Sequence, residues 1–392
     1  MVTVLPFRGV KYSVKELNKV VTEPYDKITE DMQRQYYKRS PYNFIRLNLP
    51  EEEDSYSSVS ETIRKWLSSG ILVKDSEPFF YRYIQKFTLL GKSYERDGLY
   101  AIVKLEDYKE HNIFPHERTF KGPIEDRLKM LRSINMDLEP VFFLYDNPDM
   151  FVKKALEKEN MELETETVDD NGIRHTLYKL NSAEISEFFA DKKLVIADGH
   201  HRYETALSYA KEMGFAGGSG YLMAVLVNRH DPGLIILPSH RVIDNSELSP
   251  EDLLEKLNHF FNVTEVSVTE VKEFINYEII YCFKDHAYAL EIKKEFISNV
   301  CIGQNLNVAY INNYVISRIL NIRNKETIRY SRWPEDVWKD IESGKAKFAF
   351  LLKPFRPSVV WDVAMNGRIM PEKSTDFYPK LISGLKLYDL SL

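Results

Sequence analysis

The feature that most constrains the fold is the run Lys193-Leu-Val-Ile-Ala-Asp-Gly-His-His-Arg-Tyr-Glu-Thr205. Its first five residues read as a buried strand, and the pattern from about 200 to 213 reads as a helix. Only Asp198 and Gly199 lie between them. A strand that turns so sharply into a helix leaves the first backbone N–H groups of the helix unpaired, and these, with the helix dipole, make an anion site. Gly199 lets backbone approach closely because it has no Cβ. His200, His201 and Arg202 crowd basic side chains onto the same helix end. That placement is electrostatically unfavourable unless an anion is present, so phosphate is the expected guest. Asp198 at the strand end suits a base or a Mg²⁺ ligand. A capping Asp198 with solvated histidines is the plain structural alternative. Zinc on His200 and His201 is disfavoured, since adjacent helical residues point about 100° apart and ligand pairs prefer i, i+3 or i, i+4 spacing.

Around this element the pattern is mixed α+β. A helix at 57–69, ending at Gly70, precedes a hairpin of 79–89 and 94–105. A helix at 124–132 and a short strand at 140–145 follow, then a helix at 152–160, two strands turning at Asp169-Asp-Asn-Gly172, and a helix at 182–191 capped by Ser182. Thr29 is the expected N-cap of a helix at 29–39. Strands at 221–227 and 234–237 follow the glycines after the 200–213 helix. From Pro250 a second α+β pattern begins: helices at 250–261, 308–320, 334–343 and 359–365, strands at 262–268, 327–331 and 346–352, and a hairpin over 277–292. At 392 residues the chain is too long for one ordinary core. The expected division is 1–110 as an N-terminal α+β region, 111–247 as the core with the Asp198 motif, and 248–392 as a C-terminal α+β module.

Charge and cysteine content narrow the function classes. Lys and Arg total 53 against 59 Asp and Glu, a net charge of −6. That is a poor footprint for sequence-independent nucleic-acid binding, which is driven by phosphate neutralisation, and no basic helix has helix-turn-helix spacing. No window approaches the roughly 18 apolar residues of a membrane span, and no secretory pattern opens the chain, so a cytoplasmic protein is expected. Cys282 and Cys301 are too few for a disulfide framework or a zinc site and read as small packing residues.

Two further stretches carry chemistry-bearing residues. In Pro115-His-Glu-Arg-Thr119, a carboxylate between His116 and Arg118 suits a general base or metal ligand, or else a surface turn of mutually screening charges. In Met370-Pro-Glu-Lys-Ser-Thr375, Lys373, Ser374 and Thr375 form either a phosphate or carboxylate clamp or a polar loop. Glu23-Pro-Tyr-Asp26, Ser40-Pro-Tyr-Asn43 and Pro238-Ser-His-Arg241 place tyrosines and basic residues in turns, as packing lids or ligand contacts. No Walker loop or G-x-G-x-x-G is present.

Together these stretches resemble the bacterial and archaeal family catalogued as domain of unknown function 1015. The resemblance rests on Leu5-Pro-Phe-Arg-Gly9, Glu23-Pro-Tyr-Asp26, Ser40-Pro-Tyr-Asn43, Pro115-His-Glu-Arg-Thr119, Gly122-Pro123 with Asp126-Arg127, Ile196 through Leu207, Leu237-Pro-Ser-His-Arg241 and Met370-Pro-Glu-Lys-Ser-Thr375. The Asp-Gly-His-His-Arg motif also resembles that of the free L-serine kinases of the ParB/sulfiredoxin superfamily. What the likeness implies is a ParB/sulfiredoxin-like nucleotide-binding core with inserted hairpins and a C-terminal α+β module. By it, Asp198 binds Mg²⁺, and Gly199, His200, His201, Arg202 and Thr205 hold the phosphates of ATP or ADP. Glu117, Asp198 and His201 become the catalytic candidates. His116, Arg118, Thr119, Tyr25, Asp26, His240 and Arg241 would orient a small hydroxyl acceptor such as serine, with Lys373, Ser374 and Thr375 closing on the phosphates. Two departures stand out. The separation from Glu117 to Asp198 exceeds that of the compact kinases, and the C-terminal module lies outside the superfamily core. A nucleotide-dependent ParB-like switch for nucleic acid or a protein partner is the rival expectation. A sulfiredoxin-like reductase would need a reactive cysteine beside the phosphates.

Overall fold

The computed structural model describes residues 1–51, 56–119, 121–159, 161–273, 277–297, 306–322, 327–371 and 373–391. Cys301 and Glu372 lie outside the described residues. The chain divides into two compact units: Met1–Ile235 with Pro379–Leu392, and Ile236–Tyr378. The class is mixed α+β, as the sequence pattern predicts.

The first unit is built on a nine-stranded sheet among the described residues. Its strands are β1 (Val4–Leu5), β2 (Phe80–Leu89), β3 (Lys92–Lys104), β4 (Ile113–Phe114), β5 (Val141–Tyr145), β6 (Glu162–Val168), β7 (Arg174–Leu180), β8 (Leu194–Asp198) and β9 (Tyr221–Asn228). The spatial order is β4-β8-β5-β9-β3-β2-β7-β6, with β1 pairing β3 where β2 leaves off. Two helices matter for the site, α1 (Lys121–Ile134) and α2 (His200–Glu212).

Period-2 alternation decides what each face of the sheet carries. Phe80, Leu99, Ala101, Val103, Phe143 and Ile196 point into one apolar core, where Tyr203, Leu207 and Ala210 of α2 join them. The intervening residues Tyr81, Tyr83, Gln85, Arg96, Tyr100 and Phe142 are also buried. This second set is rich in hydrogen-bonding groups, and residues 379–388 come back to meet it. Lys386 is fully enclosed between Asp75 (2.9 Å) and Glu164 (2.5 Å), which satisfies a charge that could not otherwise be buried. Tyr388–Asp389 pairs antiparallel with Met136–Asp137.

Local expectations are met at some points and not at others. The hairpin turns at Leu90 and Gly91, both with positive φ. Thr29 caps its helix by accepting from Met32 N. Ser182 occupies the N-cap position of Ala183–Phe189 but makes no side-chain capping bond. In the second unit, an antiparallel sheet of six strands among the described residues packs Val242, Ile280, Cys282, Ala349 and Leu351 against Trp338. Residues 262–268, expected to form one strand, end as Phe261–Val266 and give way to a helix at Val268–Glu273. The segment expected as one α-helix at 308–320 winds as a π-helix over Ile311–Ile319.

Candidate functional site

Strand β8 ends with a bulge. Its register against β5 shifts between Ile196 and Asp198, and such an extra residue bends a strand and re-aims the next side chain. Gly199 then takes a left-handed conformation (φ 93°) as the N-cap of α2, a region that costs other residues steric strain. A Cβ on Gly199 would meet Arg202 Nε at 2.9 Å and Cζ at 3.0 Å. The Arg202 guanidinium is therefore folded back over the glycine, and it donates to the Pro140 carbonyl.

Asp198 is the charge around which this end is organised. Its carboxylate meets Lys380 Nζ at 2.9 Å and lies 3.9 Å from Arg202. Burial opposes ionisation, but Lys380, Arg202 and Lys27 outweigh it and hold the carboxyl well below the usual range. For Arg202, burial likewise opposes charge, and Glu139, Asp198 and Asp26 prevail to keep it protonated. Three cations thus act on one carboxylate at the positive end of a helix.

The position of Lys380 follows from the polar face of the sheet. Arg96 sits opposite Gln85 in the β2–β3 register and donates to its side-chain oxygen at 2.9 Å. Arg96 also donates to the Pro379 carbonyl at 2.6 Å, and Gln85 to the Lys380 carbonyl at 2.9 Å. Burial pushes Arg96 down to about 10, so it stays charged at neutral pH. Two buried strand residues thus grip the backbone that carries Lys380 to Asp198.

Strand β4 runs parallel to β8 and delivers the His116 loop to the same end. His116 Nδ1 bonds the Ile196 carbonyl at 2.6 Å, and its Nε2 lies 3.8 Å from Glu117. The His200 Nε2 accepts from His116 N at 3.2 Å, and the two rings meet edge-on at 4.6 Å. The His200 imidazole braces the neighbouring loop, and burial, with His116 next, keeps it well below its ordinary pKa. His201 is half-buried in the first turn of α2, Glu117 and Thr119 are half-buried, and Arg118 is exposed.

The turn at Tyr25–Lys27 is the third contributor. Tyr25 N donates to Glu139 at 3.2 Å, and its ring lies under Arg127 at 4.3 Å. Asp26 is exposed, and both Tyr25 and Asp26 act electrostatically on Arg202. The first unit therefore gathers Tyr25, Asp26, His116 to Thr119 and Asp198 to Thr205. The remaining expected residues lie in the second unit. His240 is buried, with Nδ1 accepting from Leu352 N at 3.0 Å, and burial lowers it to about 3. Arg241 is buried and donates to the Lys373 carbonyl at 3.2 Å. Lys373 is exposed with φ 54°, Ser374 is buried and bonds the Pro371 carbonyl, and Thr375 is half-buried.

Residues 4–317 match the family described as "Protein of unknown function (DUF1015)". The chain belongs to that family. No curated protein matches it. Among solved structures, this DUF1015 member is similar to a conserved hypothetical protein from Pyrococcus furiosus, at 13% identity and TM-score 0.38, over 74% of this chain and 97% of that one. It is also similar to a free serine kinase in complex with AMP, at 12% identity and TM-score 0.40, over 74% and 91%. A third is SbnI with C-terminal truncation from Staphylococcus aureus, at 11% identity and TM-score 0.39, over 74% and 87%.

The sequence of this DUF1015 chain does not single out Lys27, Glu139 or Tyr100, and it gives Lys380, in Tyr378-Pro-Lys380, no role beside Asp198. Glu139 is buried and accepts from Asn48 at 2.7 Å as well as from Tyr25 N and Ser383. Tyr100 is fully buried, its hydroxyl has no hydrogen-bond partner among the described residues, and both Arg202 and Glu139 act on it. Among the described residues, no group of three or more His, Cys, Asp and Glu is arranged to hold a metal, and no helix is long and apolar enough to cross a membrane.

Proposed function

We propose that this protein is a small-molecule kinase transferring phosphate from ATP or ADP to free L-serine or a similar hydroxyl metabolite. The observation that carries the proposal is the α2 N-terminus, where Gly199, the folded Arg202 and Lys380 surround Asp198. Unpaired helix N–H groups beside the Arg202 and Lys380 cations suit a polyphosphate. The Asp-Gly-His-His-Arg motif and its likeness to serine-kinase motifs narrow the anion to a nucleotide's phosphates.

In this reading Arg202, Lys380 and the first N–H groups of α2 hold the phosphates. Asp198 would hold Mg²⁺, an ion usually bound by one or two carboxylates plus substrate phosphates. When bound it supplies charge neutralisation. The Glu117 carboxylate takes the proton of the acceptor hydroxyl as the new O–P bond forms. The bond from the transferred phosphorus to its bridging oxygen breaks, releasing ADP from ATP or AMP from ADP. His201 stands in the first turn to steady the transferring group, and Arg118 and Thr119 flank the base to orient the acceptor.

Incubating the purified chain with Mg·ATP or Mg·ADP and a pool of amino acids tests the proposal, with a phosphorylated amino acid as the expected product. Nucleotide that is bound but yields no phosphorylated acceptor from any pool rejects the kinase. Glu117→Gln is expected to lower turnover by about 10²-fold or more, the usual contribution of a general base, with nucleotide affinity nearly unchanged. Loss of affinity alone would make Glu117 a binding residue instead.

A further inference from the structure

Lys380 and a divalent cation would make the same claim on Asp198. Of its two carboxylate oxygens, Oδ2 takes the Lys380 ammonium at 2.9 Å and Oδ1 faces Arg202 at 3.9 Å. The group is not sealed: the Asp198 side chain is 26% exposed, against 10% for Lys380. Among the described residues no group of three or more His, Cys, Asp and Glu is arranged to hold a metal. The protein's share of a metal shell at this point is therefore one carboxylate. Mg²⁺ accepts so small a share when substrate phosphates supply more of the shell. With the ammonium in place, however, an ion on Asp198 would lie within about 4 Å of a like charge, a repulsion only partly screened at a half-open site.

The lysine is held at its root. Its own carbonyl accepts from Gln85 at 2.9 Å, and the Pro379 carbonyl accepts from Arg96 at 2.6 Å. Beyond that anchored backbone runs a flexible four-carbon stem ending in a compact charge with three donors. Rotation about the stem bonds is enough to move the ammonium from one anion to another beside it, with residues 379 and 380 unmoved.

We infer that Lys380 is the resident counter-ion of Asp198, and that a divalent cation replaces it only when nucleotide phosphate draws the ammonium away. The inference rests on the nucleotide-phosphate reading of this site and adds the form in which the metal enters, as a complex with the nucleotide. Before the exchange Asp198 is paired with Lys380. After it, the carboxylate is paired with the metal and the ammonium with phosphate. Neither stage leaves a partly buried charge alone, a state that is costly. The free ion meets an occupied carboxylate and is turned away.

Mn²⁺ alone, followed on the full chain by its electron paramagnetic resonance signal, tests this without turnover. Lys380→Met is expected to bind Mn²⁺ at least about tenfold more tightly than wild type, since even water-like screening of a unit charge roughly 4 Å from a divalent ion amounts to more than that. Lys380→Gln removes the charge but keeps an amide donor for Asp198. It should show the same gain, and it carries the test if circular dichroism finds Lys380→Met unfolded. Adding Asp198→Asn to either variant should abolish the gain. Equal Mn²⁺ affinity in wild type and the Lys380 variants, or a gain that survives Asp198→Asn, overturns the exchange; ADP binding to wild type, measured by calorimetry, would then still uphold the nucleotide site. No ADP binding to wild type, with or without Mg²⁺, rejects that site and the exchange with it.

Discussion

Replacing Gly199 with alanine tests the construction of the α2 N-terminus, because the sign of the effect is itself diagnostic. Elsewhere, Gly→Ala at a compatible site stabilises a protein by about 0.4–1 kcal/mol, by restricting the unfolded chain. At Gly199 the φ of 93° adds about 1–2 kcal/mol of left-handed strain. The new Cβ would also lie 2.9–3.1 Å from three Arg202 guanidinium atoms. Arg202 must then move, weakening a charge-assisted bond to the Pro140 carbonyl whose loss costs about 1.5–3 kcal/mol. Strain and lost bond together, less the unfolded-state gain, give a net destabilisation of about 2–4 kcal/mol. In a unit of this size that corresponds to a fall in Tm of roughly 4–16 °C. Thermal unfolding followed by circular dichroism, with and without ADP, is the assay, and stabilisation by ADP should shrink in the variant. A Gly199→Ala protein as stable as wild type and equally protected by ADP would refute the account of both the glycine and the arginine.

Two pH experiments probe the carboxylates. Lys380→Met removes the 2.9 Å partner of Asp198, whose folded carboxyl is held below its unfolded value of about 3.9. A depressed carboxyl stabilises above the unfolded pKa and loses that contribution as pH falls through the folded one. The Tm deficit of Lys380→Met should therefore be full above about pH 5 and shrink towards pH 3; a pH-independent deficit would refute the pairing. Asp137 has the opposite sign, since burial raises it to about 7. Between about pH 4 and pH 7 the folded state holds a proton that the unfolded state has released, so stability declines as pH rises. Asp137→Asn should remove that decline, and melts at pH 5 and pH 8 on both proteins would show it.

What was legible in the sequence was local. The 193–213 element, the 79–105 hairpin and the strands around Gly172 declare themselves through periodicity and turn residues, and the structure places them within a residue or two. The charged partners of the site were not legible, because they come from distant parts of the chain. Lys380 reaches Asp198 across 182 residues, and nothing around it distinguishes it from a surface lysine. Glu139 reads as one more polar residue before a strand, and only the arrival of Tyr25, Asn48 and Ser383 gives it a role. The inward course of the His200 side chain was not legible for another reason. Three basic residues in a row look like one cluster, but successive helical side chains diverge, and His200 diverges into the protein.

Residues 379–392 return to the first unit after the whole of 236–378 has intervened. On a ribosome making the chain from its N-terminus, β8 and α2 emerge long before the lysine that neutralises Asp198, and the Met136–Asp137 edge waits for Tyr388–Asp389. An interrupted translation product would expose that edge and lack Lys380. Such a chain should be an early target for chaperones and proteases. By this order of synthesis, the anion site is completed only after the whole of 236–378 has been made.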